Sequence, residues 1–406
     1  MPTATSSPPA SDTPTVLVTD PEQRAALAAV RALHRAGYRV VTLGESKGLA
    51  GVSRAVAKAH LCQPQSLADA GRYVEAIREV VTSEQVRVLL PITDRASRIL
   101  LGSELELSCA IAGPSAAAYA AASDKEHLLS MAESRGIRVP RQITLVSPDA
   151  SHELESLAEH APAVIKPTRS VVLVNGQTVS TKVRYASNRA DIHRGLRYYP
   201  AEAYPLLIQE RIIGEGVGAF LLRSRGHTVL SFGHRRLREK PPAGGVSTYR
   251  ESWEPPVSLI QRCETLLDAL GYDGAAMIEF KQEVATGELV LMEINARLWG
   301  SVQLAVDAGV DFPTALVRMA QGLPIAQGGA ARQGVRSVWE MGELDHALAL
   351  VSRSAGALDL PPGTPTGWRA AWTALRDHRQ GDYPEVFRFA DPLPFVAELW
   401  RWFQRR

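Results

Sequence analysis

The sequence has little of what marks a secreted, membrane-spanning or nucleic-acid-binding protein. Its three cysteines, Cys62, Cys109 and Cys263, lie far apart and outside metal-ligand spacing. Single cysteines of this kind are usually small buried hydrophobic residues, and they suit a cytoplasmic protein. No apolar run is long enough to predict a membrane span. The 45 basic and 43 acidic residues leave a net charge of +2, so the charge predicts neither a nucleic-acid partner nor an anionic membrane partner.

Two phosphate-binding signatures and a signal peptide are also absent. After the first predicted strand, residues 15–19, the chain reads Thr19-Asp20-Pro21 where a dinucleotide fold has Gly-x-Gly-x-x-Gly, and the Gly-Lys pair of a Walker loop occurs nowhere. Residues 1–13 are rich in Pro, Ser, Thr and Ala and lack both the basic start and the apolar core of a signal peptide. We expect them to form a disordered leader.

Alternating strand and helix patterns predict a doubly wound parallel domain over residues 14–112. A chain of 406 residues exceeds one average domain, and we expect a second domain over 113–330 and a mainly helical extension over 331–406. The last predicted helix, 394–405, is amphipathic. It could dock on the core, a partner or a membrane surface, and docking on the core or another subunit is preferred. The predicted strands are 15–19, 38–43, 86–90 and 109–112, and the predicted helices between them are 22–36, 66–81 and 94–101.

One stretch carries two acids in otherwise apolar strands. Residues 275–280 are apolar except for Glu279, residues 289–294 are apolar except for Glu293, and a Thr-Gly-Glu turn signal lies between the two runs. In a hairpin such acids can face each other across the ladder, where like charges need a counter-charge. A divalent cation with a further oxygen ligand from Asn295 would supply it, and these ligands suit magnesium. Alternatively, both acids point to solvent.

Two lysines differ in what their surroundings imply. Lys125 begins a predicted helix that Ser123 or Asp124 caps. Lys166 interrupts the apolar run Ala163–Pro167, and an unpaired lysine in a buried strand is costly unless an anion such as a phosphate lies beside it. The alternative for Lys125 is an ordinary surface lysine on a capped helix.

Taken in order, these features resemble the ATP-grasp family over residues 15–320. The similarity is greatest to carboxylate-amine ligases with a carbamoyl-phosphate-synthase-like ATP-grasp core. It implies an α/β (α+β) fold in which a Rossmann-like preATP-grasp domain precedes an ATP-grasp domain, with a lid over about 161–205. A single glycine follows Lys166-Pro167, where the family usually has a glycine-rich loop.

The resemblance also implies ligands for individual residues. Lys125 and Lys166 would bind the ATP phosphates, and Arg297 would contact the transferring phosphoryl group or the acyl phosphate. One or two Mg²⁺ ions would bind to Glu279, Glu293 and Asn295, and Mn²⁺ could replace them. The remaining nucleotide contacts implied are the hinge residues Gln209, Glu210 and Ile212 for adenine and Glu215 for the ribose hydroxyls.

The densest basic segment, residues 234–251, lies between the hinge and the acidic hairpin. Arginine binds carboxylates and phosphates bidentately, so we expect Arg235, Arg238 and Arg250 to contact the phosphate or the substrate. Two adjacent glycines allow a close backbone approach to a ligand, and the segment after Arg297 would add to specificity. The alternatives are a solvated charged strand or a nucleic-acid patch. The further substrate contacts expected are Gly244, Gly245 and Ser301.

The resemblance implies an ATP-dependent ligase. A substrate carboxylate would attack the γ-phosphorus of ATP to give an acyl phosphate and ADP, and an amine would then displace phosphate. The partners would be ATP, a carboxylic acid and an amine, without nucleic acid, and the chain could form a homodimer. The alternatives are a biotin-carboxylase-like enzyme (although no Met-Lys-Met attachment sequence occurs), an ATP-grasp kinase that stops at phosphoryl transfer, and a non-catalytic ATP-binding regulator.

Overall fold

A computed structural model describes residues 13–62, 70–102, 106–148, 162–168, 171–174, 177–180, 183–325, 329–360 and 363–404. The predicted disordered leader lies almost wholly outside these residues. The described residues form a five-stranded parallel sheet, a four-stranded antiparallel sheet, a seven-stranded, mostly antiparallel sheet and a separate hairpin. This is the mixed α/β fold that the sequence predicts. The domain boundaries at 112 and 330 stay predictions.

The first sheet is parallel and has the strand order β3-β2-β1-β4-β5. Helix α1 covers one face, while α2 and α3 cover the other, so the predicted doubly wound arrangement is confirmed. Strand β3 was not predicted, because its half-exposed Lys-Ala-His-Leu sequence carries no apolar run. The elements are β1 (Thr15–Thr19), α1 (Arg24–Arg35), β2 (Arg39–Gly44), β3 (Lys58–Leu61), α2 (Ala70–Ser83), β4 (Val86–Leu90), α3 (Asp94–Gly102) and β5 (Ala110–Ile111).

Two short helices lead from this sheet to the rest of the chain. In α4 (Ala116–Ser123) the Ser115 side chain accepts the N–H of Ala118. In α5 (Lys125–Glu133) the Asp124 side chain accepts the N–H of His127. Of the two predicted caps, Asp124 is therefore the one that begins the helix. The break between the helices leaves Lys125 at the first position of α5.

The second sheet is antiparallel and has the order β10-β7-β11-β6. It includes the strand that carries Lys166, which pairs with Leu207 of β11. A separate hairpin, β8 with β9, follows, and positions 175 and 176 between its strands lie outside the described residues. The elements are β6 (Gln142–Leu145), β7 (Ala163–Pro167), β8 (Val171–Val174), β9 (Gln177–Ser180), β10 (Arg184–Ala186), α6 (Arg189–Leu196) and β11 (Leu206–Glu210).

The third sheet has seven strands in the order β16-β15-β12-β13-β14-β17-β18. The basic segment forms the second half of β13 and part of β14, so its arginines lie in a sheet. The elements are β12 (Gly214–Ser224), β13 (His227–Lys240), β14 (Val246–Ser252), α7 (Val257–Ala269), β15 (Gly274–Glu283), β16 (Leu289–Asn295), α8 (Val302–Asp307), α9 (Phe312–Ala320), β17 (Arg336–Val338) and β18 (Tyr383–Pro384).

The C-terminal extension contains the helices α10 (Glu340–Ser352), α11 (Trp368–Arg376) and α12 (Leu393–Gln404), the last of which matches the helix predicted over 394–405. Unexpectedly, it also supplies strands β17 and β18, which extend the third sheet from β14. One face of α12 docks on α10, since the Trp402 indole donates to Asp345 at 2.8 Å. Through this face α12 therefore packs on the same chain, while Trp400 and Phe403 are exposed. Among the described helices none combines the length and apolarity that a membrane crossing needs.

A buried ion network joins the three parts of the chain. Glu385, beside β18, pairs with Arg24 of α1 and with Arg250 of β14. Arg250 is fully buried, and Glu385 is nearly so. Nearby, Arg31 of α1 pairs with Asp391 at 2.9 Å. One carboxylate therefore neutralises two arginines from distant segments.

Substitution of Glu385 should destabilise the fold. Glu385→Ala leaves Arg24 and Arg250 buried without their shared anion, and we expect a loss of about 3 kcal/mol in the free energy of unfolding. Urea denaturation measures it. Glu254→Ala, at an exposed site, is the control and should change stability by less than about 0.5 kcal/mol. Equal effects of the two substitutions would contradict the network's role.

Glu398 of α12 should make stability depend on pH. Burial raises its pKa from 4.5 to about 7, although the indole N–H of Trp339 opposes the rise. Between these values the folded state keeps a proton that the unfolded state has lost, so stability falls as pH rises from about 4.5 to about 7. Glu398→Gln keeps the acceptor for Trp339 without the charge. We expect it to be more stable than the parent by up to about 3 kcal/mol at alkaline pH and equal to it at acidic pH. Urea denaturation across this range, with Glu254→Gln as the control, tests this; parallel curves for Glu398→Gln and the parent would refute it.

Candidate active site

A cavity of about 620 Å³ lies between the second and third sheets. Strand β7 forms one wall, and strands β13, β15 and β16 form the other. This volume is within the range of small-ligand pockets. The predicted site residues that line it are Lys125, Lys166, Ile212, Gly244, Gly245, Glu279, Glu293, Asn295, Arg297 and Ser301.

The two acids of the hairpin face each other as predicted. Glu279 of β15 and Glu293 of β16 are direct partners in the antiparallel register. Asn295 lies two residues further along the same strand, and its amide nitrogen is 3.4 Å from Glu293 Oε1. Two carboxylates and one amide thus lie together, with the amide nitrogen towards Glu293 and the amide oxygen towards Arg297. Among the described residues no cluster of three Asp, Glu, His or Cys side chains could hold a metal ion, so a cation here needs the amide and further ligands from outside the chain.

An arginine that was not predicted supplies a counter-charge. Arg236 of β13 pairs with Glu279 and, at 2.9 Å, with Glu239. Burial raises the pKa of Glu279, and the Arg236 guanidinium opposes that rise. The side chain reaches across β12 because position 216 is glycine: a Cβ at Gly216 would lie 2.8 Å from Arg236 Cδ. Strand alternation from Phe232 and His234 would have placed Arg236 on this face.

Two lysines complete the charge balance. Lys125 Nζ is 3.4 Å from Glu293 Oε2. Burial of Lys166, with the neighbouring Lys125 ammonium, lowers its pKa to about 8. Burial would raise the pKa of Glu293, but Lys125 and Lys166 outweigh it and bring the pKa to about 2. The carboxylate is therefore ionised, and both lysines face the place where the acids meet.

The far end of the cavity is built from three segments. Arg297 Nη2 lies 2.8 Å from Asp94 Oδ2 and 3.4 Å from Asn295 Oδ1, so it connects the hairpin to the first sheet's helix α3. Ser301 Oγ is 3.4 Å from His234 Nδ1. Arg24, at the start of α1, also lines this end, 3.3 Å from where a Cβ on residue 300 would lie. Nothing in the local sequence around Arg24 indicated this position.

Arg235, Arg238 and Arg250, which were predicted to contact a ligand, are not among the residues that line the cavity. Arg235 lies over the Trp253 ring at 5.1 Å. Arg238 pairs with Glu343 of α10 at 2.7 Å. Arg250 is fully buried in the Glu385 network. In the structure these guanidinium groups contact the protein's own carboxylates and an aromatic ring.

Of the residues predicted to bind adenine and ribose, only one lines the cavity among the described residues. Ile212 lines the cavity, and its carbonyl accepts a hydrogen bond from Lys281 at 3.3 Å. Gln209 is buried in β11 and its side chain donates to Gln142. Glu210 pairs with Arg141 at 2.6 Å. Burial raises the pKa of Glu215, Arg235 opposes this, and the side chain is not among those lining the cavity.

A family described as ATP-grasp in the biosynthetic pathway with Ter operon matches residues 205–343, about a third of the chain. No curated protein matches the sequence significantly. Among solved structures, the chain resembles N5-carboxyaminoimidazole ribonucleotide synthetase in its ADP complex, with a TM-score of 0.62 and 14% identity over 90% of this chain and 96% of that one. It also resembles an L-amino acid ligase from Bacillus licheniformis, with a TM-score of 0.58 and 14% identity over 76% and 74% of the two chains.

A third similar structure was solved with a nucleotide and magnesium. It is the biotin carboxylase domain dimer of the Hydrogenobacter thermophilus 2-oxoglutarate carboxylase, in complex with MgADP, ADP and bicarbonate. Its TM-score is 0.61, with 14% identity over 79% of this chain and 73% of that chain. Likenesses at this level of identity show a shared fold.

Removal of the Arg236 charge should make stability depend on magnesium. Arg236→Met leaves Glu279 opposite Glu293 without its guanidinium partner, and we expect a loss of about 3 kcal/mol in the free energy of unfolding. Mg²⁺ should restore part of this loss by binding the exposed carboxylates. Arg235→Met is the matched control from the opposite face of β13. Denaturation in magnesium chloride and in potassium chloride of equal ionic strength tests this, and an equal response of both variants would refute it.

Proposed function

We propose, from the premise that this chain has the ATP-grasp fold, that it is an ATP-dependent ligase that couples a carboxylic acid to an amine. The observation that supports this is the convergence of two facing carboxylates, an amide and two lysines in one cavity between two sheets. Such a site neutralises a polyphosphate and holds a divalent cation at the same place, which is the main demand of phosphoryl transfer.

In the proposed first step, an oxygen of the substrate carboxylate attacks the γ-phosphorus of ATP. A phosphorus–oxygen bond forms to the acid, the bond to the β-phosphate oxygen breaks, and ADP leaves. In the second step, the amine nitrogen forms a bond to the acyl carbon, the carbon–oxygen bond to phosphate breaks, and the nitrogen loses a proton. The products are an amide, ADP and phosphate.

In the first step, the basic and the acidic residues would have different roles. Lys125 and Lys166 would bind the phosphates, and the lowered pKa of Lys166 would rise again beside an anion. Mg²⁺, or Mn²⁺ in its place, would be held by Glu279, Glu293 and Asn295 and would supply further positive charge at the phosphates.

The far end of the cavity would take the acid. Arg297 would contact the transferring phosphoryl group, as the family resemblance implies. Arg24, which binds Glu385 through one nitrogen and lines the cavity, would add a second guanidinium for the carboxylate. Ser301, Gly244 and Gly245 line the same cavity and would contact the substrate. The segment over 161–205 would exclude water from the acyl phosphate, which water would otherwise hydrolyse.

The proposal also covers the cellular location and the oligomeric state. The three cysteines form no disulfide among the described residues, which supports a cytoplasmic location. A homodimer is part of the proposal as well, by analogy with the Hydrogenobacter thermophilus domain dimer.

A screen of carboxylic acids crossed with amines at fixed Mg-ATP tests the proposal. At least one pair should release ADP and phosphate in equal amounts and yield an amide, with a rate that depends on both substrates. ADP release that needs an acid but no amine would instead favour a kinase, and ATP binding without ADP release under any condition would favour a regulator.

With an active pair in hand, Glu293→Gln should lower kcat at least about 100-fold, because it removes a metal-binding charge where charge develops. Glu288→Gln, in the same hairpin but exposed, should leave kcat unchanged. Circular dichroism and urea denaturation should show that both variants fold. Undiminished activity of a folded Glu293→Gln would refute the metal assignment.

A further inference from the structure

A second cavity, of about 330 Å³, lies beside the edge strand β16. Helices α3 and α4 of the N-terminal part form its outer walls, and the end of the acidic hairpin forms its floor. Its volume is at the lower end of the range for small-ligand pockets. Neither the phosphates nor the acid in the proposed reaction require it.

The two cavities share three side chains. Lys125, Glu293 and Asn295 line both of them. A molecule in the second cavity would therefore be separated from the proposed site of the acyl phosphate only by the groups that surround that site. Small residues keep the entrance open: Ala116 and Ala120 of α4 are on the lining and are exposed.

The lining offers groups for both charges of a small zwitterion. Asp94 and Arg98 stand one turn apart on α3, so both side chains project from the same helical face. Asp124 adds a second carboxylate, and Tyr119, whose hydroxyl donates to the backbone carbonyl of Asp94 at 2.9 Å, also lines the cavity. Carboxylates bind an ammonium group, and a guanidinium binds an acidic group bidentately.

We propose that this cavity binds the amine substrate, as a small amino compound that also carries an acidic group, such as an α-amino acid. The ammonium group lies against Asp94 and Asp124, and the acidic group lies against Arg98. The ammonium loses one proton to solvent through the exposed entrance before its nitrogen attacks the acyl carbon. This inference rests on the proposed ligase function. It gives the amine an entrance of its own, so that the nucleotide and the acid need not leave the first cavity before the amine enters.

Asp94 also connects the two cavities electrostatically. Its Oδ2 binds Arg297 at 2.8 Å, and Arg297 lines the first cavity. An ammonium group in the second cavity shares this carboxylate with Arg297. Binding of the amine thereby weakens the hold of Asp94 on the guanidinium that faces the phosphoryl group.

The test fills the second cavity without altering a charge. Ala120→Leu places a larger side chain in the lining, and Ala117→Leu makes the same change at an exposed position of α4 that does not line the cavity. With an active pair of substrates, Ala120→Leu should raise the KM of the amine by about tenfold or more. The KM values of the acid and ATP should stay within about twofold of the parent, as should all three for Ala117→Leu.

A binding experiment separates this inference from the proposed function. Glycine, L-alanine, L-glutamate and ethylamine are titrated calorimetrically into the parent and both variants in the presence of Mg-ADP. At least one amino acid should bind the parent and Ala117→Leu, while Ala120→Leu should bind it at least about tenfold more weakly. This result without ADP release from any acid–amine pair would overturn the ligase but support the site. If no probe binds the parent, if both variants bind equally, or if Ala120→Leu raises the KM of the acid instead, the inference is wrong.

Discussion

Two carboxylates held opposite one another in a partly buried hairpin are the constraint on which the rest of the structure depends. Register fixes Glu279 beside Glu293, and their repulsion must be offset by cations from elsewhere. Arg236 comes from β13, Lys125 from the first position of α5, and Lys166 from β7 of the other sheet. Because these cations belong to separate elements, the charge balance requires the two sheets and the capped helix to converge on one place. The same balance produces the proposed phosphate site.

Other arginines make contacts that stabilise the fold. Neighbouring arginines on β13 have different partners: Arg236 reaches the hairpin, Arg235 lies over Trp253, and Arg238 binds Glu343 of the C-terminal extension. Alternation along a strand separates the first two onto opposite faces. A basic segment therefore divides into site residues and structural residues by its register, and not by its composition.

Local pattern was enough to predict the elements that hold the site. The apolar runs around Glu279 and Glu293 predicted the hairpin and the pairing of its acids, and Asp124 caps α5 as one of the two candidates. Arg236 was missed because its orientation depends on the full length of β13 and on the room left by Gly216. Arg24 and the partners of Arg250 and Arg238 could not be predicted from local pattern, since they depend on contacts between residues more than a hundred positions apart, such as Arg238 with Glu343. Periodicity carries no information about such contacts.

The C-terminal extension is part of the third sheet, because its strand β17 pairs directly with β14. A shorter chain that ended before residue 336 would leave β14 with unpaired backbone N–H and C=O groups along an open edge. Open edges of this kind recruit strands from other molecules. The evolutionary consequence is that the extension and the strands of the third sheet are expected to vary together: a lineage that exchanged the tail as a module would also need to provide a new strand to pair with β14.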